Sequence, residues 1–158
     1  MKNNNQIYLI LDNIRSAYNV GSLFRTADAA GVSKIYCCGF TPTPAQKTAL
    51  GAENTVPWEH FSQSWRLIKK LKKEGFHIAS LEITKQSINM FSYTPTFPIA
   101  IMLGNEISGV KKSLLNRSDS VIHIPMHGMK ESLNVAVAGG IALYYIKNHE
   151  QRTSPSSR

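Results

Sequence analysis

Hydrophobic residues fall along this chain in two alternating patterns. Apolar runs of strand length recur at Gln6 to Leu11, Lys34 to Phe40, Val56 to Phe61, Phe76 to Leu81, Phe97 to Leu103 and Ser120 to Ile124. Between them, apolar residues return at helical spacing. Leu23, Ala27 and Ala30 share one face of a helix over Val20 to Ala30, with Asn19 as its cap and Gly31 as its stop. Trp65, Ile68 and Leu71 form the buried stripe of a second helix over Gln63 to Glu74, capped by Ser62 and ended by Gly75. Short helices are expected at Ala45 to Leu50 and Lys111 to Asn116, a loop at Ser87 to Tyr93, and a long helix at Ser132 to Asn148.

The run FPIAIML, Phe97 to Leu103, is continuous rather than alternating, as in a central strand buried on both faces, with Pro98 tolerated at its start. Strands alternating with helices over the whole length predict an α/β fold with a mostly parallel sheet. One domain is expected over residues 1–150, followed by a disordered tail, 151–158, that lacks strongly apolar residues.

Charge narrows the partners. Eighteen basic against ten acidic residues give a net charge of +8, which favours RNA, DNA or an anionic membrane surface. Arg66, Lys69, Lys70, Lys72 and Lys73 concentrate it on the second helix, either as a solvated face or as an RNA contact. The adjacent Cys37 and Cys38 point to opposite faces of a strand and read as core. His60, His77, His123, His127 and His149 show no metal-ligand spacing, so no metal is expected. The N-terminal apolar run is too short for a signal peptide or a membrane span, and a cytoplasmic location is the expectation.

Ligands of parallel sheets bind beyond the carboxyl ends of strands, and three polar loops lie there. After the first loop, Asp12 to Asn19, the always-charged Arg25 sits inside an otherwise apolar helix and needs an anion, either phosphate or Asp28 three residues on. The second, LGNEISG at Leu103 to Gly109, has glycines that admit a ligand close to backbone and a carboxylate, Glu106, at the strand mouth. Val110 after Gly109 excludes a phosphate-binding P-loop, and the dinucleotide glycine fingerprint is absent. The third, Pro125 to Asn134, places Ser132 and Asn134 where the last helix begins; no nucleophile elbow surrounds Ser132, and His127 reads as a loop residue.

These stretches carry a resemblance. N-x-G-x3-R at Asn19 to Arg25, LGNE-x2-G from Leu103, and IPM-x5-SLNVAVA from Ile124 occur in the order seen in the SpoU or TrmH-like family of SPOUT-class RNA methyltransferases, and KTALGAE and VPWEHF also look like that family. The chain resembles it from Gln6 to Lys147. The resemblance implies an α/β domain with a C-terminal trefoil knot, S-adenosylmethionine as cofactor, methyl transfer to a ribose 2′-hydroxyl of tRNA or rRNA, and a homodimer with the site near its interface. Matched by motif, Leu103, Gly104, Ile124, Met126 and Leu133, with Leu81 by a looser alignment, should line the cofactor pocket. Asn19, Arg25, Glu106, Ser132 and Asn134 match the polar active-site positions. The small residues Ala136, Ala138, Gly139, Gly140 and Ala142 suit a close-packed dimer interface. Its guanidinium keeps its proton at neutral pH, so Arg25 is a poor base; it is expected to hold a phosphate and stabilise the oxyanion, while Glu106 orients its neighbours. The rival reading is a non-catalytic RNA-binding or assembly protein that keeps the fold, and the full polar set argues against it.

Overall fold

The fold was obtained as a computed structural model that describes residues 4–44 and 46–154. In chain order the elements are β1 (Ile7–Asp12), α1 (Ala17–Ala30), β2 (Lys34–Cys38), α2 (Gln46–Ala49), α3 (Ala52–Thr55), β3 (Trp58–Phe61), α4 (Ser64–Lys73), β4 (His77–Leu81), β5 (Ile88–Asn89), β6 (Ile99–Leu103), α5 (Lys112–Leu115), β7 (Ser120–His123) and α6 (Val135–Thr153). The strands form one sheet ordered β3-β2-β1-β6-β4-β7-β5, and every pairing is parallel.

Side-chain alternation divides the core. On β6, Ile99, Ile101 and Leu103 point into one apolar cluster with α1 and α6, while Ala100 and Met102 point into the other with α4 and α5. All five residues are buried, as the unbroken apolar run requires of a strand covered on both faces. Cys37 and Cys38 divide between the clusters in the same way. The registers Leu11↔Leu103 and Ser80↔Met102 align the carboxyl ends of β1, β6 and β4, so the loops leaving these strands meet at one edge.

Several elements depart from the sequence reading. α1 begins three residues before Val20, because the Ser16 hydroxyl, not Asn19, accepts the N–H of Asn19 and caps the helix. On α4 the buried stripe is Leu67, Ile68 and Leu71, and Trp65 is 39% exposed. Ser62 caps nothing in α4; the cap position is Gln63, and the Ser64 hydroxyl instead donates to the buried Asp12 carboxylate at 2.5 Å. Ser87 to Tyr93 is not wholly irregular, since it holds β5 and a short 3₁₀ turn. The sequence ends the last helix at Asn148 and begins a disordered tail at Gln151, yet α6 continues through Thr153; residues 155–158 lie outside those described.

α6 packs along α1, and one glycine sets how closely. A Cβ on Gly139 would lie 2.6 Å from Leu23 Cδ2 and 2.7 Å from Leu103 Cδ1. The smallness of Gly139 therefore serves packing inside this chain, against α1 and β6, rather than an interface between copies. At Gly140 the same construction meets only Thr26 Cγ2, at 3.4 Å.

Candidate active site

Side chains from three loops converge at the carboxyl edge. The Glu106 carboxylate accepts the Arg15 N–H at 2.9 Å, the Ser16 N–H at 3.1 Å and the Asn19 side-chain amide at 2.9 Å. Partial burial pushes its pKa up, but these donors outweigh that effect and hold it below the usual carboxylate value. Asn19 completes the chain through its other end, where Oδ1 accepts the Asn134 amide at 3.1 Å. Asn134 Oδ1 in turn accepts the N–H groups of Ala136 and Val137 and caps α6. The beginning of α1, the loop after β6 and the beginning of α6 are thus locked by one hydrogen-bond series.

Next to it lies a cavity of about 500 Å³ at the ends of β4, β6 and β7. Leu81, Leu103, Gly104, Ile124, Met126 and Leu133 all line it, together with Glu106, Ser132 and Asn134. Asn19 reaches the cavity only through Glu106 and Asn134. Arg25 does not line it. It is exposed further along α1 and makes no ion pair or hydrogen bond with the described residues; Asp28, its alternative partner, instead accepts from Thr55 Oγ1 at 2.8 Å. The guanidinium is left available to an external anion.

Sequence reasoning missed two members of this region. Glu82, just past β4, lines the cavity and accepts the Val110 N–H at 2.9 Å, tying the β4 loop to the β6 loop. Like Glu106, it is a carboxylate at a strand mouth, and that signal was readable. Asn105 donates to the Asn13 carbonyl at 2.9 Å and accepts the N–H groups of Ile107 and Ser108, which shapes the β6 loop.

The cavity suits a cationic nucleoside. Leu81, Leu103, Ile124, Met126 and Leu133 offer apolar surface to a flat base, and Glu82 and Glu106 offer negative charge to a sulfonium or ammonium group. Among the described residues, no group of His, Cys, Asp or Glu is arranged to hold a metal, and no helix is long and apolar enough to cross a membrane.

A parallel α/β sheet with a cavity at its carboxyl edge defines an α/β ligand-binding domain of the doubly wound kind. The particular family follows from comparison. Residues 6–144 match the model of the SpoU rRNA Methylase family, and the chain belongs to that family. It is 30% identical over 160 residues to a protein of Aquifex aeolicus named tRNA (guanosine(18)-2′-O)-methyltransferase, covering 99% of this chain and 76% of that one. It is 34% identical to the 23S rRNA (guanosine-2′-O-)-methyltransferase RlmB of Coxiella burnetii, covering 95% of this chain and 61% of the relative. The AdoMet-bound rRNA methyltransferase of Sinorhizobium meliloti superposes with a TM-score of 0.86 at 27% identity, over 92% of this chain and 57% of that one. The chain thus spans about three quarters of the first of these proteins and about three fifths of the other two.

Proposed function

We propose that this chain is an S-adenosylmethionine-dependent RNA methyltransferase that modifies a ribose 2′-hydroxyl of tRNA or rRNA, acting in the cytoplasm as a homodimer. The observation that carries this reading is the cavity itself. Five residues matched by motif to a cofactor pocket, and Leu81 by a looser alignment, line one cavity, and the polar set Glu106–Asn19–Asn134 borders it in a member of the SpoU family. When bound, S-adenosylmethionine supplies an electrophilic methyl on a sulfonium that leaves as a neutral thioether.

The chain's own residues have the remaining tasks. Backbone and apolar groups of Leu103, Gly104, Ile124, Met126 and Leu133, with Leu81, hold the nucleoside half of the cofactor. Glu106 is a positioning residue: three donors already occupy its oxygens, so it orients Asn19 and the start of α1 rather than collecting the substrate proton. Arg25, exposed on α1 and unpaired among the described residues, binds a phosphate flanking the target ribose and stabilises the developing oxyanion by charge, and the proton leaves to water or phosphate. Ser132, exposed at the cavity, and Asn134 complete the polar wall. Membership of the SpoU family is what supports a C-terminal trefoil knot.

Dimerisation is supported by the outer face of α6. Val137, Ile141 and Tyr144 are 52%, 36% and 52% exposed at helical spacing, and Tyr18 of α1 is 79% exposed.

The test is radiolabelled methyl transfer to tRNA and rRNA by the wild type and by Arg25→Ala, with cofactor binding followed by calorimetry. The reading expects wild-type 2′-O-methylation, and loss of transfer with cofactor binding retained in Arg25→Ala. RNA binding without any cofactor binding by the wild type would instead support the non-catalytic alternative.

A further inference from the structure

The net charge of this protein is not spread over its surface. The α4 segment, 63–74, and the α5 segment, 111–119, hold eight of the eighteen basic residues and only two of the ten acidic ones, leaving ten against eight in the rest of the chain. Folding joins these two segments on one face. Leu67, Ile68 and Leu71 of α4 share an apolar cluster with Leu114 of α5, and Lys72 Nζ donates to the Arg117 carbonyl at 2.8 Å while pairing with Asp119 at 3.3 Å.

At the junction is a depression of about 670 Å³ lined by Trp65, Ile68, Lys69, Lys72, Lys73 and Arg117. The partly exposed Trp65 indole has the Arg66 guanidinium 5.1 Å and that of Arg117 5.6 Å from its ring centroid. Lys69, Lys73, Arg66 and Arg117 are exposed and have no acidic partner among the described residues. An indole floor ringed by unpaired cations is the combination that single-stranded nucleic acid uses, with phosphates on the basic groups and a base against the aromatic ring.

We infer that this α4–α5 face is a second RNA-docking surface, which takes an unpaired segment of the substrate RNA away from the reacting ribose. The inference rests on the proposed function for the identity of that RNA. Continuity with the cavity supports it: Val110 lines the cavity, and the exposed Lys111 and Lys112 follow it directly toward Arg117. RNA leaving the cavity mouth therefore meets cations along a connected path. A membrane surface fits less well, because the apolar stripe of α4 is spent in the core and Trp65 alone is left to insert.

The experiment uses the triple variant Lys69→Gln, Lys73→Gln, Arg117→Gln, which spares Lys72 and its structural contacts. Fluorescence anisotropy is read with unfractionated tRNA and with a uridine oligomer across a salt series, and cofactor affinity by calorimetry. The expected result is at least about tenfold weaker RNA binding near physiological salt and a log K against log salt slope shallower by about 2, from about 0.7 per lost phosphate contact, with cofactor affinity unchanged. RNA should also quench tryptophan emission in the wild type, and this response should be lost in Trp65→Phe. Unchanged RNA affinity and slope in the triple variant overturn the inference, as does loss of binding to anionic vesicles alone. If the wild type methylates no RNA and yet the triple variant loses RNA affinity, the enzymatic reading fails while this surface stands.

Discussion

Asn134 donates its side-chain amide to Asn19 Oδ1 at 3.1 Å, linking residues 115 positions apart, while its own Oδ1 caps α6. The two roles use opposite ends of one side chain and can be separated. Asn134→Asp keeps a capping oxygen at the positive end of the helix but has no N–H for Asn19. Asn134→Ala loses both and should cost about 1 kcal/mol of stability through the cap. We expect Asn134→Asp to melt close to wild type yet lose methyl transfer by about tenfold or more, since small displacements of positioned groups are costly to rate. Thermal melts beside single-turnover transfer rates check this, and a fully active Asn134→Asp would dismiss the link.

Glu106 makes the local stability of the site dependent on pH. Its folded pKa is held below the unfolded value by the Arg15, Ser16 and Asn19 donors. Ionised Glu106 therefore stabilises the fold above the unfolded value of about 4.3, and this contribution is lost as pH falls through the lower folded value. Glu106→Gln turns an acceptor into an N–H₂ group facing donors and, because the site is open to solvent, should lower stability at neutral pH by no more than about 1 kcal/mol. The gap between variant and wild type should narrow as the solution is acidified below the carboxylate range. Urea midpoints measured along a pH series check it, and a gap constant with pH would assign the loss to something other than the charge.

How much of this was legible in the sequence depended on whether an effect was local. FPIAIML could only be a strand covered on both faces, and all of Ile99–Leu103 is buried. The cavity-lining residues end strands, follow them or open a helix, so the sequence puts them at the carboxyl edge where the cavity lies. Asn19 was misread as a cap because Asn and Ser are both good caps, and the choice was decided by Glu106, 87 residues away, which engages the Asn19 side chain. Trp65 was misread because a period of three to four residues does not fix the phase of an amphipathic helix; Leu67, not Trp65, faces the core. Arg25 and Asp28 are spaced for an ion pair, but Thr55 from another element takes the carboxylate.

The exposed face of α6 predicts an assembly. Val137, Ile141 and Tyr144 lie at spacings of four and three on one side of the helix, all at least 36% exposed. Replacing Ile141 with Lys puts a charge at the centre of that stripe, where a homodimer would have to desolvate it without a partner. Sedimentation should then show a shift from dimer to monomer, with the far-ultraviolet spectrum unchanged. A wild type that sediments as a monomer would remove this interface altogether.

Cys37 and Cys38 should be inert. Both are fully buried, and burial pushes each thiol up to about 12, so the thiolate that reacts with disulfide reagents is scarce in the native state. A thiol-titrating reagent should label neither under native conditions and both after denaturation. Rapid native labelling of either would mean that the β2 core opens readily.

Gly139 and Gly140 are neighbours in a helix, yet substitution should move stability in opposite directions. Alanine at either position gains helix propensity, up to about 1 kcal/mol over glycine. At Gly140 the new methyl meets Thr26 Cγ2 at 3.4 Å, a contact that a small shift relieves, so Gly140→Ala should be neutral or stabilising. At Gly139 it would sit 2.6 and 2.7 Å from Leu23 and Leu103, both buried, and overpacking of this kind costs about 1–3 kcal/mol. Leu103 also lines the cavity, so the strain in Gly139→Ala should weaken cofactor binding as well, whereas Gly140→Ala should leave it intact. Denaturant unfolding and calorimetry on the two variants decide the point. If both behaved alike, the close approach of α6 to α1 and β6 would not be what Gly139 is for.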